Sequence, residues 1–349
     1  MRVTVPQYHP RGNSIRVKHL TPLQSSLGYD THDQPDHLQM LHHQAGQFEG
    51  WGAFDRALPL YEEVFAQRKR IFGADHRDTI AALNNVALLL FRMDDLARAV
   101  PLCEEVLEQR KRVLGEQDPE TFVSLNNLAL LFSRQGDLHR ALPLFERCLS
   151  SRRQILGEDH PDTLVSQDNL ALTFIRLGQT QRALPLYEDV LAKRQRLLGD
   201  KHPDTFVSLD NLALLLFRMG NYNRALPLYE QRWDKRRDTL GDDHPDTLKS
   251  LNSLALLLSR QAAYHRALPL YQQCLTSRRK VLGDDHPDTL QSLGNIAVVL
   301  HKAGESARAL PLFEECLDKC VRILGRSHPY TKGMQSSRDL CAEKTAAGI

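Results

Sequence analysis

This sequence is short of the features that announce chemistry. No apolar run reaches the roughly 18–20 residues that a membrane span requires. The first twenty residues lack the apolar core of roughly 7–15 residues that marks a secretory signal, so none is expected. There is no HExxH, no GxxxxGK[ST], no GxSxG, and no GxGxxG between a strand and a helix. The usual metalloprotease, phosphate-loop, nucleophile-elbow and dinucleotide readings therefore have no footing. Charge of one sign is also scarce. Forty-five basic residues stand against 43 acidic ones for a net +2, whereas a nucleic-acid binder more often carries a large positive excess. The six cysteines form no CxxC pair. Cys148, Cys274 and Cys316 share a register with Val64, Val106 and Val190 and read as small core side chains. Cys316 and Cys320 lie one helical turn apart, with too few further ligands nearby for a zinc shell. No cofactor is expected, and a reducing, cytoplasmic setting fits.

What the chain has in abundance is itself. The segment Pro119–His160 returns, edited but never lengthened or shortened, from Pro35 to His328, giving seven copies of 42 residues. A fixed period of this size points to an array in which each unit packs mainly on its neighbours. Forty-two per cent apolar and 25 per cent charged residues suit a folded chain of this kind. Residues 1–34 show no period and read as a disordered lead-in.

Each copy reads as two helices. The first begins at an HPDT segment, where Pro161, Pro203, Pro245, Pro287 and Pro329 suit the opening turn. Asp162, Asp204, Asp246 and Asp288 follow, against the positive end of the helix dipole. The first helix is expected to close near Gly136, Gly178, Gly220 and Gly304. The second runs from RALPLYE to the next LG and ends in basic clusters such as Arg110, Lys111 and Arg112, read as dipole-matching, solvated cations rather than a nucleic-acid stripe. Pro59, Pro101, Pro143, Pro185, Pro227, Pro269 and Pro311 recur inside the second helix, which predicts a repeated kink and not a break.

Apolar spacing gives the core. Leu125, Leu128, Ala129 and Phe132 lie at i, i+3, i+4 and i+7, one face of a helix. Two columns are alanine in all seven copies: Ala45, Ala87, Ala129, Ala171, Ala213, Ala255, Ala297, and Ala57, Ala99, Ala141, Ala183, Ala225, Ala267, Ala309. Alanine at a fixed point lets helices approach closely, and a larger residue there would overpack. Tyr61, Phe145, Tyr187, Tyr229, Tyr271 and Phe313 supply bulk beside it.

These columns, with LNNLALL, ALPLYE and LGxxHPDT, closely resemble the 42-residue tetratricopeptide repeats of kinesin light chain and nephrocystin-3, and of many bacterial proteins built from the same unit. The resemblance covers residues 35 to about 344 and implies an all-α, right-handed tetratricopeptide-repeat superhelix (an α-solenoid) of seven helical hairpins plus a C-terminal capping helix. The expected domains are a disordered segment 1–34, repeats 35–328, and a cap and tail 329–349. The heptad coiled coil that joins kinesin light chain to its motor is missing, as are the nucleotide-binding regions of nephrocystin-3. The first copy departs from the pattern at His42, His43, Gly46 and Gly50, and reads as a capping unit or a differently tuned end.

The first helix carries a second stripe that packing does not require, spaced i, i+4, i+7, i+11: Val123, Asn127, Leu130 and Arg134 in the third copy. Its columns read Asn85, Asn127, Asn169, Asn211, Ser253, Asn295; then Leu88, Leu130, Leu172, Leu214, Leu256, Val298; then Arg92, Arg134, Arg176, Arg218, Arg260, Lys302. The resemblance implies that first helices line a concave wall and that the Asn ladder holds peptide main chain. A carboxamide offers a donor and an acceptor together, leucine an apolar floor, and arginine a partner for Asp, Glu or a terminal carboxylate. The competing reading has Asn bonded to the neighbouring helix backbone and Arg merely solvated. Asp168 and Asp210 beside the ladder would make its middle mixed in sign.

The histidines His160, His202, His244, His286 and His328 recur once per copy, too far apart for one zinc shell, and are assigned to the helix junctions. Arg232–Trp233 interrupts a core column and implies local exposure or a shifted register, as a tolerated irregularity rather than a partner contact. The expectation is a non-enzymatic scaffold or adaptor for a protein or peptide segment that carries acidic residues, with no membrane and no nucleic-acid partner. The alternative is a peptide-responsive or nucleic-acid-associated regulator that uses the basic helix ends.

Overall fold

The computed structural model describes residues 35–346, so the expectation for residues 1–34 lies outside the described residues. The chain divides after Val190 into two compact units, a division that the uniform repeat does not reveal. The first contains α1 Pro35–Gly50, α2 Phe54–Phe72, α3 Arg77–Arg92, α4 Leu96–Leu114, α5 Pro119–Gln135, α6 Leu138–Leu156 and α7 Pro161–Arg176, and the boundary falls within α8, Thr180–Leu198. The second continues with α9 Pro203–Arg218, α10 Tyr222–Leu240, α11 Pro245–Arg260, α12 Tyr264–Leu282, α13 Pro287–Lys302, α14 Ser306–Leu324 and α15 Pro329–Ala346. In each unit consecutive helices pack on one another, α1 on α2 through α6 on α7, and α9 on α10 through α14 on α15. This is the expected all-α order of seven hairpins and a final helix.

The two alanine columns are fully buried at all fourteen positions, and the aromatic column beside them is buried as well. The junction histidines cap the opening ends of the first helices. The Nδ1 atoms of His160, His202, His244 and His286 accept the backbone N–H two residues on, at 3.1–3.2 Å, and Asp118 does the same for α5. Gly136 ends α5 at φ 88°, but in the same column Asp94 and Ala262 hold φ 63° and 59°. Non-glycine residues occupy that region at a cost. The second helices run unbroken through their prolines.

Two expectations are corrected, and one is narrowed. Arg110 is 1% exposed, not solvated. Its Nη1 donates to the Glu120 carbonyl at 3.0 Å and to Ser124 Oγ at 2.8 Å, tying α4 to α5. Arg152, Arg236 and Arg278 repeat this clamp with Asp162 and Ser166, Asp246 and Ser250, and Asp288 and Ser292. These guanidinium groups are tolerated away from water because a carbonyl and a hydroxyl meet each of the four. Arg232 brings the expected local exposure without a shift of register: with Trp233 and Arg236 it is half-buried where Cys274, Leu275 and Arg278 of the next copy are buried, while α10 keeps the 19-residue length of the other second helices. It lies 3.4 Å from Asp210, which also accepts from Arg236 at 2.9 Å, and Trp233 packs against Leu248, Leu251 and Cys274. The second correction follows: Asp210 is neutralised from inside and adds no free negative charge to the stripe.

Candidate functional site

The stripe on the first helices does not behave alike in the two units. In residues 35–190, Asn85, Leu88 and Arg92 of α3 share one hollow of about 180 Å³ with Gly46, Glu49 and Gly50 of α1 and Tyr61 of α2. The three columns thus meet at one place. The glycines that mark the first copy as atypical leave the space open, since a Cβ on Gly46 would come no closer than 3.7 Å to Tyr61 and one on Gly50 would touch nothing. Glu49 accepts from the Tyr61 hydroxyl at 2.9 Å and pairs with Arg92 at 3.1 Å. Burial, and then the Glu49 carboxylate, push the Tyr61 phenol well above its ordinary pKa.

Along the same unit the ladder is partly committed internally. Asn169 donates to Asn126 at 3.0 Å, across one repeat. This is neither the free carboxamide nor the backbone bond that the sequence offered as alternatives; the second amide column was the signal, lying one residue before the first. Asn127 is 5% exposed, and its Nδ2 has no acceptor among the described residues. A buried donor without a partner is uncommon enough to need a reason. Leu88 and Leu130 are buried and Leu172 is half-buried. The arginines reach back one repeat. Besides Arg92 with Glu49, Arg134 Nε meets Asp94 at 3.0 Å, and Arg176 donates to the Ser133 carbonyl and hydroxyl at 2.6 and 2.5 Å.

In residues 191–346 the stripe is freer. Asn211 and Asn295 are half-buried, with Asn295 donating to Asn252 at 3.1 Å. Leu214, Leu256 and Val298 are half-buried apolar groups. Arg218, Arg260 and Lys302 are exposed, and none forms an ion pair among the described residues. The reason is visible in the columns. At the sequence positions matching Glu49 and Asp94, which hold Arg92 and Arg134, stand Ile175 and Gly178 for Arg218, Phe217 and Gly220 for Arg260, and Ser259 and Ala262 for Lys302. Partial burial, and then the charge of Arg260, hold the Lys302 ammonium below its ordinary pKa.

The basic ends of the second helices are occupied. Arg112 pairs with Asp75, Lys280 with Asp243 and Arg322 with Asp285. Among the described residues no cluster of three His, Cys, Asp or Glu side chains is found, and no helix is long and apolar enough to cross a membrane.

Comparison with known proteins gives a consistent answer. Tetratricopeptide-repeat family models match residues 37–100, 78–154 and 132–196, and then 205–246, 247–288 and 289–330. A Podospora anserina protein, assigned as a kinesin light chain with nearly identical TPR-like repeats, is 28% identical over 59% of this chain and 97% of its own, with a TM-score of 0.54. BtubC (BKLC) from P. vanneervenii is 22% identical over 67% of this chain and 94% of its own, with a TM-score of 0.52. The quorum sensor NprR from B. thuringiensis, at 15% identity, 89% and 81% coverage and a TM-score of 0.53, shares the fold. No curated protein matches the chain.

Proposed function

The chain belongs to the tetratricopeptide-repeat family, and from that premise we propose that it is a non-enzymatic scaffold whose first-helix stripe holds an extended peptide segment of another protein. The observation that carries this reading is the hollow where Asn85, Leu88 and Arg92 meet beside two glycines. Its volume suits one apolar side chain, and an amide and a guanidinium stand at its wall to meet backbone and carboxylate. Asn127, with a buried donor unspent, supplies a further main-chain contact. Asn211, Leu214 and Arg218, with Arg260 and Lys302, offer the same chemistry without the internal acids. Acidic residues of the partner therefore belong on residues 191–346, where the cations have no competing partner. The kinesin-light-chain-like repeats of the Podospora protein support a partner-binding role of this type. Nucleic acid is disfavoured because the basic helix ends already face aspartates of the neighbouring copy.

The test is a random 12-mer peptide library selected on the full chain, followed by calorimetric titration of the enriched peptides. The expected peptides combine an apolar residue with Asp or Glu, and their affinity should fall with added salt. Gly46→Leu, which fills the hollow and removes no polar group, and the pair Arg218→Ala/Arg260→Ala should each weaken binding while the helical circular dichroism stays constant. Enriched peptides whose affinity ignores all of these changes would sink the reading.

A further inference from the structure

The last junction of the array departs from the others at four columns together. Cys320 stands in the column of the buried clamp arginines, Met334 in the serine column that those arginines meet, and Tyr330 in the acidic column. Gly294 stands where the second to sixth copies have Asn or Asp. The fold brings these columns to one point. In the fifth copy the matching positions are Asp210, Arg232 and Arg236, and they converge as an ion-paired triad. The seventh copy thus exchanges a hard, cationic hydrogen-bonded cluster for sulfur.

The sulfur atoms are close. Cys316 Sγ and Cys320 Sγ lie 3.9 Å apart, both residues 0% exposed. A Cβ built on Gly294 would stand 2.9 Å from Met334 Sδ, 3.5 Å from Cys316 Sγ and 2.5 Å from the Tyr330 hydroxyl. Thioether, thiol and phenol therefore crowd the same side of that backbone, and only glycine leaves them room. Two thiolates 3.9 Å apart with metal–sulfur bonds of about 2.3 Å would subtend about 116° at the metal, close to trigonal.

We propose that this junction binds one Cu(I) ion through Cys316 and Cys320, with Met334 as the third ligand. Thiolate and thioether are the donors that select Cu(I). Zinc asks for four ligands, and the remaining oxygen here is a neutral phenol donating to the Leu290 carbonyl at 3.2 Å. Binding releases the thiol protons to solvent, with no change in oxidation state at metal or sulfur. Met334 and Tyr330 both lie on α15, which packs on α14 and touches α13. The ion would therefore pin the final helix to the array, and it enters when that helix lifts.

The full chain, reduced and kept free of oxygen, is titrated with Cu(I) supplied as its acetonitrile complex against bicinchoninate. One Cu(I) per chain should be retained, with a sulfur-only shell by X-ray absorption. Cys320→Ser should abolish retention, while Cys274→Ser, a buried thiol with no second sulfur beside it, should leave it intact. Met334→Leu should weaken binding about tenfold, the lower end of what losing a supporting partner at a metal site costs, and it keeps the test alive if Cys320→Ser misfolds. No retained copper, retention unchanged in both Cys320→Ser and Met334→Leu, or uptake only as helicity is lost would each overturn the proposal.

Discussion

Replacing Asp210 by Asn tests whether the irregular copy is held together from within. Arg232 occupies a core column and its side chain is 11% exposed, while the Asp210 side chain is 31% exposed. Removing the carboxylate strands a guanidinium whose remaining contact is the Tyr229 ring, 5.0 Å away. Breaking a fully buried pair costs about 3–5 kcal/mol, whereas exposed pairs contribute about 0.2–1 kcal/mol. The 3.4 Å contact lacks hydrogen-bond geometry, and Asp210 is nearly one-third exposed, so about 2 kcal/mol is expected for Asp210→Asn. Arg232→Val restores the residue type found at Val190 and leaves Asp210 paired with Arg236 at 2.9 Å, so it should be neutral within about 1 kcal/mol. The double variant recreates the Asn84/Val106 combination of the second copy and should be less destabilised than Asp210→Asn alone, a coupling of about 1–1.5 kcal/mol. Repeat arrays need not unfold in one step. The assay is therefore native-state amide hydrogen exchange in α10, read beside urea titration by circular dichroism. Strict additivity of the two substitutions would show that Arg232 is not compensated by Asp210.

Ala262→Gly should stabilise the chain by about 1 kcal/mol, because Ala262 holds φ 59° in a region that disfavours a Cβ; a lowered urea midpoint would contradict this. Burial first, then Arg68 and His43, hold the His42 imidazole below its ordinary value. The unfolded chain therefore takes up the proton first, and stability should fall as pH drops through the unfolded value of about 6.5. His42→Gln should flatten that part of the stability profile between pH 7 and pH 5, and an unchanged slope would count against it.

The sequence alone determined the repeating architecture. Its period divides the chain into hairpins, apolar spacing chooses the buried face of each helix, and invariant alanine marks where two helices touch. These are properties of one helix or one helix pair, so residue type and register suffice to state them. Histidine beside proline was legible as a junction for the same reason, although its capping bond was not. Tertiary structure decided which copies of a repeated polar residue are free. Arg92, Arg134 and Arg260 look alike in their column, but the first two find an acid one repeat back and the third, among the described residues, finds none. Arg110 and Arg112 are two residues apart; one is sealed against a carbonyl and a serine, the other pairs on the surface. Such outcomes depend on which side chain the neighbouring copy presents within about 3–4 Å, the range of a hydrogen bond or ion pair, and a one-dimensional period does not carry that distance.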